Sequence, residues 1–374
     1  MKKILIVFGT RPEAIKMAPL VKEFKKYPDK FETRVCVTAQ HREMLDQVLS
    51  FFEIVPDFDM DLMKPNQSLY SLTSDIINGL KPVLEEFQPH YVFVHGDTTT
   101  TMATGLAAFY AGARVCHVEA GLRTFNLKSP FPEEMNRCVT GVLASIHFSP
   151  TNHARENLEK ENKAPSSILV TGNTVIDALN FSVKKVNSPQ FQNEEISRLK
   201  PLLANGKQIV LVTGHRRENH GEGFLNICQA LKEIAEKNKE AVIIYPVHLN
   251  PNVQEPVYRL LKDIPNIHLI APLSYPAFIW LMAQSYIIIT DSGGIQEEAP
   301  SLGKPVLVMR NTTERPEAVA AGTVKLVGTD TEKIVDEAER LIRDKAYYGQ
   351  MSSRHNPYGD GLACARIVEF IENH

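Results

Sequence analysis

The most constraining feature of this chain is a regular alternation. Short apolar runs rich in β-branched residues are followed by stretches whose apolar residues recur at helical spacing. In the first half the strand-like runs are Ile4 to Phe8, Arg34 to Thr38, Tyr91 to Val94, Val115 to Val118 and Ile168 to Val170. In the second half they are Gln208 to Val212, Ala241 to Tyr245, Ile267 to Ile270, Tyr286 to Thr290 and Val306 to Met309. Between them, Met17, Leu20, Val21 and Phe24 form one helical stripe, which Pro19 is expected to kink. His41 to Phe52 reads as a helix burying Met44, Leu45, Val48, Leu49 and Phe52, and a longer one from Ser68 carries Leu69, Leu72, Ile76, Leu80, Leu84 and Phe87. Pro132-Glu133-Glu134 opens a further helix, and a last amphipathic one begins near Leu362. Strand–helix alternation with no runs of consecutive strands predicts an α/β fold with parallel sheets. A length of 374 residues exceeds what one core usually supports, so two doubly wound domains are expected, with a boundary near residues 172–205. Each half opens with a strand ending in Gly-Xaa-Arg, at Gly9-Thr10-Arg11 and Gly214-His215-Arg216.

Composition narrows the class of function. Hydrophobic content of 43% and charged content of 23% are ordinary for a globular protein, and a net charge of −3 gives no reason to expect nucleic acid or an anionic membrane as partner. No apolar run reaches the length of a membrane span, and Met1-Lys2-Lys3 leads straight into the first strand, so no signal peptide is read there. Five widely spaced cysteines show neither zinc spacing nor a disulfide frame and suit a reducing cytoplasm.

Ligands of doubly wound sheets bind beyond the C-terminal strand ends, and the polar residues found there are Arg11, Asp97, Glu119, His215, His248 and Ser292. Drawn from both halves, they predict an inter-domain cleft. Asp291-Ser292-Gly293-Gly294-Ile295-Gln296-Glu297-Glu298 joins a buried strand to a helix start. Its glycines admit a ligand to the backbone, and the first helical turn offers N–H groups and the positive end of the dipole to an anion. Glu297 or Glu298 is placed to accept from ribose hydroxyls; the alternative is a tight strand–helix corner with ordinary N-terminal acids. Arg11, Lys16, His215, Arg310 and Arg315 can serve phosphates, with surface ion pairing as the alternative for each. Asp97, Glu119, Glu133 and Glu134 supply acids, of which either glutamate of the pair could simply complement a helix N-terminus. No G-x-G-x-x-G follows a strand, which argues against a tightly held dinucleotide, and neither a Walker loop, a nucleophile elbow nor an H-E-x-x-H metal motif is present. No cofactor and no metal are therefore expected.

These motifs resemble a known family over nearly the whole length. Gly9 to Met17, His95 to Thr100, His117 to Thr124, Pro132 to Glu134, Thr213 to Glu218, Asp291 to Glu298 and Thr313 to Glu317 match the bacterial non-hydrolysing UDP-N-acetylglucosamine 2-epimerases in order. The resemblance implies a GT-B-like fold with a first Rossmann-like domain of residues 1–171, joined by a C-terminal helix 359–374, and a second of residues 172–358. It implies reversible conversion of UDP-GlcNAc to UDP-ManNAc for cell-surface polysaccharide precursors, in a cytoplasmic homodimer. By position it assigns UDP-sugar binding to Arg11, Lys16, Asp97, Glu119, His215, Phe278, Ser292, Gly293, Gly294, Glu298 and Arg315, with Asp97, Glu119, Glu133 and His215 catalytic. It also implies a second, activating UDP-GlcNAc beside Gln40 and His41. The chain departs from the family pattern at Leu273, Glu43 and Asn66.

The chemistry suits such residues. With no carbonyl beside C2 and no NAD fingerprint, loss of UDP from C1 is the route that acidifies the C2 proton. A carboxylate then removes it to give 2-acetamidoglucal, and UDP re-adds after protonation on the other face. A hydrolysing epimerase releasing ManNAc and a GT-B glycosyltransferase are the alternatives.

Overall fold

The computed structural model describes residues 1–39, 42–62, 64, 67–203 and 206–374. The chain divides into two compact units, Met1–Ala178 with Tyr358–His374, and Leu179–Pro357.

The first unit begins β1 (Lys2–Phe8), α1 (Arg11–Phe24), β2 (Phe31–Val37), α2 (Arg42–Phe52), β3 (Phe58–Asp59) and α3 (Leu69–Phe87). It continues β4 (Tyr91–His95), α4 (Thr99–Tyr110), β5 (Arg114–Val118), α5 (Glu133–Leu143), β6 (Ile146–Ser149), α6 (Asn152–Lys160) and β7 (Ile168–Val170), and α7 (Thr174–Val186) follows. The second unit holds α8 (Glu194–Leu203), β8 (Gln208–Thr213), α9 (Glu222–Lys237), β9 (Ala241–Pro246), α10 (Pro251–Leu261), β10 (Ile267–Ile270) and α11 (Tyr275–Gln284). Then come β11 (Ile287–Thr290), α12 (Gly293–Ser301), β12 (Val306–Val308), α13 (Pro316–Ala321), β13 (Val324–Leu326), α14 (Thr331–Arg343) and α15 (Lys345–Ser352), and the chain ends with α16 (Ala363–Asn373) in the first unit.

All strand pairs are parallel, in the orders β3-β2-β1-β4-β5-β6-β7 and β10-β9-β8-β11-β12-β13. Both orders start at a central strand, run outward, then return to its other side. Each sheet thus has one switch point, between β1 and β4 and between β8 and β11, where the strand ends splay and a ligand crevice forms. The residues after those four strands are Gly9-Thr10-Arg11, Gly96-Asp97-Thr98, Gly214-His215 and Asp291-Ser292.

The strands are buried on both faces, which is why they read as continuous apolar runs. One face of the first sheet packs Leu5, Val7, Val92 and Val94 against Leu72, Ile76, Leu80 and Leu84 of α3 and Ala103 and Ala107 of α4. An edge-and-stack series of rings, Phe31–Phe24–Phe93–Phe148–Phe370, joins β2, α1, β4, β6 and α16 at centroid spacings of 5.1, 5.2, 6.0 and 5.8 Å. In the second unit Val210, Val212, Ile243, Ile289 and Leu307 pack on Phe224, Ile227, Leu231, Val253 and Val257 of α9 and α10.

Three local expectations change. Met44 is 45% exposed, because Leu45, Val48, Leu49 and Phe52 take the inward face at i, i+3, i+4, i+7 and leave Met44 outside that stripe. Leu69, the first residue of α3, is 42% exposed, so the buried stripe begins a turn later at Leu72. Helix α1 runs from Arg11 to Phe24 past Pro19 as one element.

Candidate active site

At the switch point of the first unit, the loop after β1 is fixed by its own helix. Thr10 caps α1, while the buried Glu13 carboxylate accepts the N–H groups of Gly9 and Thr10 at 3.0 and 2.8 Å. The other oxygen of Glu13 accepts the hydroxyls of Thr98 and Thr101 at 2.6 and 3.2 Å, so one acid ties the loop after β1 to the loop after β4. Thr38 and Thr100 share a hydrogen bond of 3.1 Å directly over Gly9. Arg11 opens α1 and is half-buried.

Asp97 follows β4 and is gripped by Arg137 of α5, whose Nε and one terminal nitrogen donate to Oδ2 at 3.0 and 2.6 Å. Asn136 holds the Asp97 carbonyl at 2.9 Å. The other terminal nitrogen of Arg137 donates to Glu134 at 3.0 Å, and Glu134 also accepts the backbone N–H groups of Thr124 and Phe125 at 2.9 and 2.8 Å. Burial works against the Arg137 charge, but Asp97 and Glu134 outweigh it and raise the guanidinium above its ordinary value. The two neighbouring acids of this helix therefore differ. Glu134 is fully buried and structural, whereas Glu133, the first residue of α5, stays half-exposed.

Glu119 follows β5 with φ of +62°, a left-handed backbone that non-glycine residues seldom adopt. Its carboxylate pairs with Lys16 of α1, accepts Asn173 Nδ2 at 2.8 Å and lies 3.6 Å from His95 Nε2. The structure thus brings Lys16 and Glu119 together, with Lys16 on the acid. His117 plays a different part: its Nε2 donates to the Gly96 carbonyl at 2.7 Å, and burial pushes the ring down to about 3, so it stays neutral and shapes the turn before Asp97.

In the second unit Asp291 is fully buried, and its Oδ2 accepts the N–H groups of His215 and Arg216, both at 2.8 Å. It does there what Glu13 does in the first unit, tying together the loops at the switch point. His215 is exposed and stacks on His248, with ring centroids 5.0 Å apart and planes 16° apart. Partial burial lowers its imidazole below the ordinary value, opposed by Asp291 and assisted by His248 and Arg216. Ser292 caps α12 without a side-chain cap bond among the described residues, and Gly293 and Gly294 open the helix, so its first N–H groups meet no side chain of their own cap. Glu298 is half-exposed one turn into α12, whereas Glu297 is buried against Arg315. The two adjacent acids of this turn thus differ in exposure. Arg315 caps α13, Phe278 is half-buried on α11, and Arg310 is nearly buried with its Nε on Glu218 at 2.6 Å. Gln40 and His41 lie outside the described residues.

Arg137 and Asn136 lie outside the motifs, Glu13 lies within the first motif and Asn173 follows a strand end, but the motifs assign a role to none of the four, although Arg137 stands at the helical i+3 position from Glu134. Among the described residues, no group of three or more His, Cys, Asp or Glu is arranged to hold a metal, and no helix is long and apolar enough to cross a membrane.

Two parallel doubly wound sheets with polar groups gathered at both switch points define an α/β protein of two Rossmann-like domains, of the GT-B-like class. Residues 22–372 match the family described as UDP-N-acetylglucosamine 2-epimerase. The UDP-N-acetylglucosamine 2-epimerase of Escherichia coli (strain K12) is 60% identical over 372 residues, covering 100% of this chain and 99% of that protein. The crystal structure of UDP-GlcNAc 2-epimerase from Neisseria meningitidis bound to UDP-GlcNAc superposes with a TM-score of 0.90 at 53% identity, covering all of both chains. That of the Methanocaldococcus jannaschii enzyme, in complex with UDP-GlcNAc and UDP, gives 0.81 at 31% identity, again over all of both chains. This chain belongs to the UDP-N-acetylglucosamine 2-epimerase family.

Proposed function

We propose that the chain is a non-hydrolysing UDP-GlcNAc 2-epimerase that interconverts UDP-GlcNAc and UDP-ManNAc through 2-acetamidoglucal, supplying precursors of surface polysaccharides. The observation carrying this reading is the placement of Asp97 and Glu119 at the ends of adjacent strands, each on a cationic partner, in a chain whose residues 22–372 match the family. Arg11, Lys16, His215, Phe278, Ser292, Gly293, Gly294, Glu298 and Arg315 bind the UDP-sugar. Asp97, Glu119 and Glu133 share the proton transfers at C2.

The step begins as the C1–O bond breaks and its electron pair leaves with UDP. Positive character at C1 weakens the C2–H bond, a carboxylate takes that proton, and the C1–C2 double bond of the glycal forms. Return of a proton to the opposite face of C2, with UDP re-adding at C1, completes the epimer. Helix α12 and the basic groups hold the charge on UDP throughout. A set of carboxylates suits this reaction better than a single one, because both faces of C2 must be served.

Incubation with UDP-GlcNAc in D2O, without NAD or a sugar acceptor, should give intact UDP-ManNAc carrying deuterium at C2, followed by NMR. Free ManNAc with UDP as the only products would turn the assignment to a hydrolysing epimerase, and a C2 position that never exchanges would sink the elimination route. We further propose a homodimer, supported by the exposed apolar residues Phe109 and Tyr110 at the end of α4 and Val142 on α5, and an activating second UDP-GlcNAc. Sedimentation equilibrium reads the first, and the dependence of UDP-ManNAc turnover on added UDP-GlcNAc reads the second.

A further inference from the structure

The Asp291 carboxylate is used unevenly. Oδ2 carries all of its bonds, from His215 N and Arg216 N at 2.8 Å and from Asn219 Nδ2 at 3.4 Å. Oδ1 is buried and has no hydrogen-bond partner among the described residues. A buried carboxylate oxygen without a partner is costly, and such a cost persists where another state of the site repays it. A group of suitable chemistry is the His215 ring, whose Nδ1 stands 3.8 Å from Oδ1. An approach of about 1 Å brings it to hydrogen-bond distance.

We propose that Asp291 is the positioning residue for His215: Oδ1 accepts the Nδ1 proton when the ring engages a bound nucleoside diphosphate, which leaves Nε2–H directed at a diphosphate oxygen. The inference rests on the reading of His215 as a UDP contact. The geometry favours this division of labour. Asp291 Oδ2 already fixes the backbone of His215, so the same side chain sets both the position of the loop and the tautomer of the ring it carries. The His248 ring covers one face of His215 and limits its swing, and the exposed edge is left for the ligand. The charged and titratable groups facing the ring are Asp291, His248 and Arg216, and Tyr245, whose hydroxyl donates to the Gly214 carbonyl at 3.2 Å, lies behind Asp291. Burial, opposed by Asp291 and assisted by His248 and Arg216, moves His215 toward the neutral ring. A diphosphate adds negative charge on the far side of the ring and favours the imidazolium, for which Oδ1 is the ready acceptor. As the C1–O bond breaks, this imidazolium faces the oxygen that receives the electron pair.

Asp291→Asn tests the assignment, because the amide oxygen can still accept the two backbone N–H groups while its NH2 can only donate toward Nδ1. The variant should bind UDP within a few-fold of wild type yet lose kcat by about 10²- to 10⁴-fold, with KM changed far less. The basic limb of its pH–rate profile should move to lower pH, because the imidazolium is lost earlier without the Asp291 charge, and Asp291→Glu should recover part of kcat. In the wild-type protein, 15N NMR of the histidine rings should show UDP converting His215 to a form protonated at Nδ1 and raising its midpoint; the Asp291→Asn protein should show neither. A wild-type ring that stays unprotonated at Nδ1 with UDP bound overturns the proposal, as does an Asp291→Asn enzyme with an unchanged pH profile. His215→Gln separates the two levels of the argument. If it binds UDP as tightly as wild type, the underlying reading of His215 fails, and the inference with it, whereas weakened binding by this variant together with a wild-type Nδ1 signal that UDP leaves unchanged removes Asp291 alone.

Discussion

Arg137 illustrates how one side chain can decide the use of another. It is nearly buried, spends two donors on Asp97 Oδ2 and a third on Glu134, and so turns a strand-end aspartate into a group with one defined direction. A lysine at this place offers a point charge without the fork. Arg137→Met should therefore lower kcat by roughly tenfold to a hundredfold with little change in UDP affinity, since a displacement of ~1 Å at a reacting group has that effect. Steady-state kinetics beside UDP titration calorimetry reads both quantities; equal losses in the two would mean that Arg137 supports the fold of the loop rather than the direction of Asp97. Motif reading found Asp97 and Glu119 because both follow apolar strands. It does not reach Arg137, which becomes the neighbour of Asp97 only when α5 returns to the end of β4.

At the level of elements, the two switch points are held shut in the same way. Glu13 links the loops after β1 and β4, and Asp291 links those after β8 and β11, each by accepting backbone N–H groups of the preceding loop. Beside Gly9 two threonine hydroxyls already fill the space a side chain would take. A Cβ on Gly9 would stand 2.0 Å from Thr38 Oγ1 and 2.7 Å from Thr100 Oγ1. Gly9→Ala should break the threonine pair and destabilise the first unit by about 1–3 kcal/mol, seen as a lower urea midpoint with an unchanged slope. A midpoint equal to wild type would show that the threonines rotate away without penalty. Strands β3, β6 and β13 have two, four and three residues, too short to give a period, and they exist because a neighbouring strand offers its edge.

For the molecule as a whole, buried histidines make stability depend on pH. Burial pushes His117 down to about 3 and His147 down to about 4, while both regain an ordinary value near 6.5 on unfolding. The unfolded state then binds more protons than the folded one below about pH 6.5, so stability is present above that value and falls with pH until the folded-state values are reached. Between pH 7 and pH 5 each ring should remove roughly 2 kcal/mol. Both lie in the first unit, on the paired strands β5 and β6, which is expected to loosen in acid before the second. Urea midpoints measured across that range, with His117→Gln flattening the slope, check the sign and the size. A midpoint insensitive to pH would mean that the two rings are hydrated in solution.

The α/β class, the strands buried on both faces and the acids and bases that follow them are legible in the amino-acid sequence alone. Those properties depend on local period and on what a residue adjoins in the chain. Which acid is buried and which is exposed depends on contacts from distant parts of the chain. Glu133 and Glu134 are neighbours with the same helix-start chemistry, yet one is half-exposed and the other is buried under Arg137 and two backbone amides. Glu297 and Glu298 divide in the same way, by the side of α12 that meets Arg315. Helical rotation of about 100° per residue sends adjacent side chains to different surroundings, and those surroundings come from distant parts of the chain.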